Sequence, residues 1–466
     1  MKLVMKFGGT CLNDGTRFLH AAQLIENSIR KGDSVVVVVS AMTEVTNSLI
    51  TSTVKAADGD QKTIINFIKT LLERHKKAAS EAIHKKTTQE KVIQEIEELV
   101  RELEKVLISI SYLRETTPRS YDYILSFGEK LSTIILRATL EDMGLKAQSF
   151  TGGEAGIVTD DHFSEARPLM NITCLQVRER LSPLLMKGEI AVVSGFIAYT
   201  QDGITTTLGR GSSDYTATIL ASSLNMDEVW IWTDVDGLMT ADPTIVPLAK
   251  TIPVLSYPEA MEMVYFGAKA IHPKALEPAV EKNIPIRVKN VFNPSNKGTL
   301  IVKEQKINGA SIAKTIAIIK EVALITVNGA GMIDAPGVAA KVFNILGENR
   351  INVLMISQSS SQANISFIIL QREVERALNF LELGLLGQGI INEVLSNSDV
   401  CIIAIVGAGM KGTPGVAAKV FQSVAEEGIN IMMIAQGSSE LNISFVVKRE
   451  NGIKVVNKLH QEFQLN

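Results

Sequence analysis

Two hydrophobic periods alternate at the start of the chain. Leu3-Val4-Met5-Lys6-Phe7 reads as a strand and Gly8-Gly9-Thr10 as a tight turn. Phe18, Ala22, Ile25 and Ile29 then recur at helical spacing, the inner stripe of a helix capped around Asn13-Asp14. Val35 to Val39 is an unbroken β-branched run. Such a run predicts a strand buried on both faces, and hence a parallel sheet covered by helices. Sheets of this kind bind ligands beyond the carboxyl ends of their strands, where Gly8, Gly9 and Ser40 fall. Lys6 is out of place in a buried strand unless its ammonium reaches that edge.

From Lys55 to about Arg119 the pattern turns charged, with Val92, Ile96, Leu99, Leu103, Val106 and Ile110 at helical spacing. This predicts a helical insertion whose stripe packs against the core or another subunit. Ser126-Phe127-Gly128-Glu129 falls on a helix, where a lone glutamate is ordinarily solvated. Thr151 to Gly156 reads as a flexible polar turn, and Ile190 to Phe196 as another buried strand ending in glycine. Thr207-Leu208-Gly209-Arg210-Gly211 turns an extended run into a helix starting near Tyr215. Gly209 and Gly211 permit positive φ, while Ser212, Ser213 and Asp214 are caps that leave N–H groups facing an anion. Arg210 adds a fork suited to carboxylate or phosphate, although an ordinary capped loop with a solvated arginine fits the same residues. Val229 to Trp232 is a strand running into a turn-dense segment, Thr233 to Pro243, with acceptors for a ribose or base. Gly267-Ala268-Lys269 offers a second lysine, His272 before Pro273 reads as structural, and Pro285 to Asn290 as the last strand of this region.

The last third is duplicated at a constant offset of 78 residues. Gly329-Ala330-Gly331-Met332 recurs as Gly407-Ala408-Gly409-Met410, Pro336 to Phe343 as Pro414 to Phe421, and Asn364-Ile365-Ser366-Phe367 as Asn442-Ile443-Ser444-Phe445. Each copy reads strand, glycine turn, helix, strand, turn, strand, the βαββαβ style of small sheets backed by helices. Gln358 and Gln436 occupy the same place in both copies, and an amide that donates and accepts suits a small polar amino acid as well as its own turn.

Composition narrows the partners. With 466 residues the chain has length for several domains, and 46% hydrophobic against 21% charged residues is a globular balance. A net charge of −3 argues against a nucleic-acid partner. Cys11, Cys174 and Cys401 are odd in number and far apart, which fits a reducing compartment and neither a disulfide framework nor a zinc site. Without an apolar signal core after Met1 or a run of about 18 apolar residues, a soluble cytoplasmic protein with no membrane partner is expected. The six histidines are scattered, so no protein-held metal is expected, and magnesium would arrive with a nucleotide. Neither a P-loop nor the protein-kinase motif set occurs, so any phosphate chemistry needs another scaffold.

Lys6-Phe7-Gly8-Gly9-Thr10, Ser40 with Thr46, Phe127-Gly128-Glu129, Leu208-Gly209-Arg210-Gly211 with Ser213-Asp214, Trp232-Thr233-Asp234 and Phe266-Gly267-Ala268-Lys269, in this order, resemble the aspartokinases of the amino acid kinase superfamily. The duplicated region resembles tandem ACT domains, one nested within the other. The resemblance implies an α/β fold, a three-layer αβα sandwich with a mostly parallel sheet, followed by two ferredoxin-like α+β domains. It places the catalytic domain at 1–302, a linker at 303–318, and the ACT domains at 319–390 and 391–466. The implied reaction uses ATP, with Mg2+ carried by it, to phosphorylate L-aspartate at the start of lysine, threonine, methionine and isoleucine biosynthesis.

By the same resemblance Lys6, Arg210, Asp214 and Lys269 are catalytic, and Phe7, Gly8, Gly9, Thr233, Asp234, Met239 and Asp242, with Lys6 and Lys269 again, meet the nucleotide and its phosphates. Ser40, Thr46, Glu129, Phe196, Arg210, Ser213 and Asp214 surround aspartate. Gln358, Gln436, Asn364 and Asn442 meet an amino-acid effector, threonine rather than lysine, in a homodimer or larger assembly formed through the ACT domains. Four positions depart from the family pattern: Cys11 for serine, Ser212 for glycine, Met239 for tyrosine and Thr244 for arginine. A kinase for another small acid, or a non-catalytic amino-acid sensor, are the alternatives.

Overall fold

Lys2–Phe7 forms β1 and Ser34–Val39 forms β2, paired in parallel with α1 (Gly15–Arg30) between them. Asp14 caps α1 by accepting the Arg17 N–H, as its place before the stripe predicts. The computed structural model describes residues 1–267, 271–304, 312–386 and 391–465. Helices α2 (Val45–Ala57), α3 (Gln61–Ala82), α4 (Lys86–Leu113), α5 (Pro118–Leu125) and α6 (Phe127–Asp142) follow. After them come β3 (Ala147–Phe150), β4 (Val158–Thr159), α7 (Met170–Met186), β5 (Ile190–Ser194), β6 (Ile197–Thr200), β7 (Thr205–Thr207), α8 (Ser213–Leu224) and β8 (Glu228–Thr233). The segment closes with β9 (Val254–Ser256), α9 (Tyr257–Tyr265), α10 (Leu276–Lys282), β10 (Ile286–Asn290) and β11 (Thr299–Val302).

The chain divides into two compact units, the first comprising Met1–Leu238, Pro253–Tyr257 and Lys269–Gln305. Its eight-stranded sheet has the order β3-β5-β2-β1-β8-β10-β11-β9 and is parallel except between β10 and β11. Thus β10 is not the last strand of the unit. Because side chains alternate along a strand, Leu3, Met5, Phe7, Val35, Val37 and Val39 share one core with α1 and α6. Val4, Val36 and Val38 are buried on the opposite face, where α8 packs. The chain leaves β1 in one direction for β2 and returns on its other side as β8, which sets a switch point at β1.

The insertion is a layer over the first face. Its apolar stripe is Val92, Ile96, Val100, Leu103, Leu107 and Ile110, packed within the same core. Leu99 and Val106, expected in that stripe, are only half-buried, because the buried face is centred toward Val100 and Leu107 and leaves these two at its opposite flank. Thr151 to Gly156 is not a free turn. All but Glu154 are buried, and Thr151 donates to the Tyr199 hydroxyl at 3.0 Å.

The second unit comprises Met239–Ile252, Pro258–Ala268 and Lys306–Asn466. It contains β12 (Thr315–Asn328), α11 (Val338–Glu348), β13 (Met355–Gln358), β14 (Asn364–Leu370), α12 (Val374–Leu385), β15 (Glu393–Val406), α13 (Val416–Glu426), β16 (Met433–Gln436), β17 (Asn442–Lys448) and α14 (Gly452–Glu462). The six strands form one antiparallel sheet, β13-β14-β12-β15-β17-β16. Residues 315–318, assigned to a linker from the sequence, begin β12. The two halves are not consecutive segments either, because β12 and β15 are long enough to serve both. Thr315 to Ile319 pairs with the end of β15, whose other edge carries β17. Val322 to Asn328 pairs with β14 and with the beginning of β15. Register shifts around Val322 separate the stretches. Helices α11 and α12 cover one half and α13 and α14 the other, while Val322, Met355, Ile368, Val400, Ile402, Met433 and Val446 form a shared core on the opposite face.

Leu103→Ala should lower the stability of the first unit by about 2–5 kcal/mol, with a clearly smaller loss for Leu99→Ala. Urea unfolding followed by Trp230 and Trp232, both on β8, measures it. Equal losses would contradict the stripe described here.

Candidate active site

The carboxyl ends of β1, β2, β5 and β8 lie side by side, and α8 begins at the same edge. Lys6, on the α8 side of β1, places Nζ 2.6 Å from Asp214 Oδ1, with side chains 12% and 8% exposed. The contact is an ion pair without hydrogen-bond alignment at that oxygen. Oδ2 of Asp214 accepts the His272 backbone N–H at 2.9 Å. His272 also caps a short 3-10 turn through Nδ1, so its reading as structural fits, and burial lowers its pKa. Gly8 leaves room above the lysine, since a Cβ there would stand 3.6 Å from Nζ. The Gly9 Cβ position lies 2.8 Å from the Ala41 carbonyl, so its missing side chain lets two loops touch.

Gly209 and Gly211 adopt φ of 92° and 76°, the left-handed conformations anticipated for this turn. Helix α8 starts at Ser213, two residues before Tyr215, and Ser212 makes no side-chain cap; its buried Oγ has no hydrogen-bond partner among the described residues. Arg210 is exposed at the tip, and no described side chain pairs with it. Ser213 fits against Gly195, whose Cβ position is 2.6 Å from the Ser213 Oγ. Asp122 on α5, not singled out from the sequence, fixes the base of the turn. Its buried carboxylate accepts the Ser164 N–H, and the Thr207 N–H and hydroxyl at 2.9 Å each. A lone aspartate in a charged helical stretch gives no signal of such a role; only the fold brings the two loops to it.

Glu129, expected to be solvated as a lone helical glutamate, is 4% exposed on α6. Its Oε1 accepts the Ala41 N–H at 3.2 Å, one residue beyond Ser40, and Oε2 has no hydrogen-bond partner among the described residues. Burial pushes its pKa from 4.5 to about 8, the Ala41 N–H opposing only part of the shift. Thr46 sits in the first turn of α2, half-buried. Phe196 holds φ at 68° between β5 and β6, a conformation uncommon for an aromatic residue, with its N–H on the Thr216 hydroxyl at 3.0 Å.

Phe7 stacks on Trp232 with ring centroids 6.1 Å apart, so its ring belongs to the core. Thr233 and the exposed Asp234 extend from the end of β8, linked by a 3.2 Å hydrogen bond. Cys11 donates to the Trp232 carbonyl at 3.3 Å, and burial raises its thiol to about 11. Met239 and Asp242 belong to the second unit, where Asp242 accepts the Thr244 N–H and hydroxyl. Lys269 lies outside the described residues. Gln358 and Gln436 end β13 and β16, both exposed, beside Asn364 and Asn442 at the starts of β14 and β17.

Residues 1–290 match the amino acid kinase family, and residues 325–383 and 403–463 match the ACT domain. Aspartokinase 1 of Arabidopsis thaliana, a chloroplastic protein, is 33% identical over 99% of this chain and 80% of its own length. A bifunctional aspartokinase/homoserine dehydrogenase of the same plant is also 33% identical, but the chain spans about half of such bifunctional relatives, 51% in this case. Aspartokinase III of E. coli, solved with aspartate and ADP, superposes with a TM-score of 0.81 at 30% identity, covering 99% of each chain. A structure of the same E. coli protein with lysine and aspartate gives 0.77. No helix among the described residues is long and apolar enough to cross a membrane.

The Glu129 shift has a consequence for stability. Between about pH 4.5 and 8 the folded chain holds a proton that the unfolded chain has lost. The stability this group contributes is complete below about 4.5 and is lost as the pH rises through about 8. Glu129→Gln cannot ionise, so its Tm relative to the parent should climb across this window in thermal unfolding without ligand. Parallel Tm curves would mean that the carboxylate is not buried.

Proposed function

Because the chain belongs to the aspartokinases of the amino acid kinase family, we propose that it transfers the γ-phosphoryl group of ATP to the side-chain carboxylate of L-aspartate. A carboxylate oxygen attacks the γ-phosphorus, the bond to the β-phosphate oxygen breaks, and the products are 4-phospho-L-aspartate and ADP. One observation supports this substrate class above others. Among the described residues, a buried carboxyl group with an unmatched oxygen, Glu129, stands at the end of β2, and a guanidinium with no paired side chain, Arg210, stands on the loop into α8. Together they suit a ligand bearing an ammonium and a carboxylate, which an N-acylated acid does not offer to Glu129.

The physical problem of the reaction is repulsion. The aspartate carboxylate, with a reference pKa near 3.9, is already ionised at neutral pH, so no general base is needed. It must approach a polyanion, so rate comes from positioning and from cations that meet charge as it develops. Lys6 is the described cation for the transferring group, aimed by Asp214, with Gly8 leaving the approach open. Lys269 takes a companion role. Magnesium carried by the nucleotide supplies further neutralisation of phosphate charge. Gly9, Thr233, Asp234, Met239 and Asp242 serve the nucleotide, and Ser40, Thr46, Phe196 and Ser213 complete the aspartate site.

The ACT unit reads an amino-acid effector across a dimer or larger assembly. Lysine accompanies the E. coli protein in one structure, but Gln358 and Gln436 present neutral amides, which suit threonine better than an ammonium side chain. An effector acts only through its differential affinity for two arrangements, with couplings of about 1–3 kcal/mol.

In a coupled ADP-release assay, product should form with aspartate and not with N-acetylglutamate; activity with no acid on a panel would leave a sensor. Lys6→Ala should lower kcat by about 10²–10³-fold with little change in the aspartate KM, since the cation acts mainly in the transition state. A normal kcat in a folded Lys6→Ala variant would return the residue to a structural role. Arg210→Lys should raise the aspartate KM about tenfold, because an ammonium cannot reproduce a two-pronged contact. Added L-threonine should inhibit more strongly than L-lysine, and inhibition by lysine alone would overturn the effector assignment.

A further inference from the structure

The duplication supplies an internal control. In the second copy, Val406 ends the first strand and Gly407-Ala408-Gly409 makes the turn toward α13. The Ala408 N–H donates to Oε1 of Glu259 at 2.8 Å, and Glu259 Oε2 lies 3.0 Å from Lys314 Nζ. Glu259 is 0% exposed and the lysine side chain 11%. Close beside them, the Asn442 amide donates to Glu262 Oε2 at 3.0 Å. Both carboxylates come from α9, one helical turn apart, and with Pro258 onward they belong to the same compact unit as the turn.

This arrangement is a buried carboxylate held at both oxygens. A backbone N–H at a glycine turn and an ammonium hold it away from water, and such a charge is tolerated only when paired and hydrogen-bonded. Gly407 lets the chain before β12 pass, for a Cβ there would stand 2.6 Å from the Ile312 carbonyl.

The first copy keeps the frame and changes the cation. Lys314 donates its backbone N–H to the Val406 carbonyl, and Asn392 does the same to the Asn328 carbonyl, so the two are counterparts. The ammonium is therefore replaced by an amide. The Asn328 side chain donates instead to Glu393, and the Asn364 side chain, counterpart of Asn442, is bonded to no described residue.

We propose that the second ACT copy is a carboxylate site permanently filled by the chain's own Glu259, so that a free amino acid is taken by the first copy alone, one per chain. The stoichiometry rests on the effector reading above; the internal ligand does not. The assignment also divides the two glutamines: Gln358 is an effector contact and Gln436 is not.

Two measurements on the full chain separate these claims. Glu259→Ala empties the site, and sodium acetate, against sodium chloride of equal ionic strength, should restore its Tm by about 2–4 °C while leaving the parent unchanged. Equal shifts in both proteins, or none in either, overturn the internal ligand. If Glu259→Ala does not fold, Glu259→Gln leaves the same ammonium without its charge partner, and a Tm equal to the parent overturns the proposal. Calorimetric titration of the parent with L-threonine and with L-lysine should give one site per chain, lost in Gln358→Ala and kept in Gln436→Ala. Two sites per chain, or loss in Gln436→Ala, overturn the assignment of the copies. Binding of neither amino acid sinks the effector reading while the acetate result stands.

Discussion

An ammonium at the end of a strand buried on both faces must be neutralised by something the fold delivers. Lys6 meets that demand with Asp214, which reaches it from the first turn of α8. Taking such charges from water costs several kcal/mol each, and removing one partner leaves the other uncompensated. The pair thus ties β1 to the start of α8, and α8 to His272 through the second aspartate oxygen. Chain segments more than 200 residues apart in sequence converge on one ion contact, and that contact faces the end of the sheet where ligands of such folds bind.

Around this contact the site is built from polar groups that the described residues leave unmatched. Glu129 is buried with one oxygen that meets no described donor, and Arg210 is exposed with no described side chain paired to it, while Asp122 clamps the turn that carries the arginine. The framework fixes their geometry, and the groups themselves are left for a ligand to meet. A site arranged in this way is less stable empty than filled, which is the usual trade between stability and function.

Much of the frame was legible in the sequence because periodicity reports burial directly. The Val35 to Val39 run announced a covered parallel strand, and Gly209 and Gly211 announced positive φ. Lys6 was legible for the opposite reason, as a charge violating the pattern around it. Glu129 was not, because its helix is buried nearly all round and a helical period then carries no direction. Asp122 and Glu259 were invisible, since Ser164 and Thr207 lie 42 and 85 residues from the one and Lys314 and Ala408 lie 55 and 149 from the other, and no local rule joins them. The exchange of β12 and β15 between the two halves did not follow from the repeat, which says how many copies exist and not which copy supplies each strand; the expectation of nesting came from the family resemblance alone.

That exchange has a consequence for how the regulatory unit came to exist. Each half needs a fourth strand, and each takes it from the chain stretch that begins the other half's long strand. One repeat released alone would lack that strand and present a bare sheet edge until a second molecule lent its own. The unit is in effect a strand-swapped dimer welded into one polypeptide. Fusion frees the two copies to diverge, and the Lys314 that leads into one frame is already the Asn392 of the other.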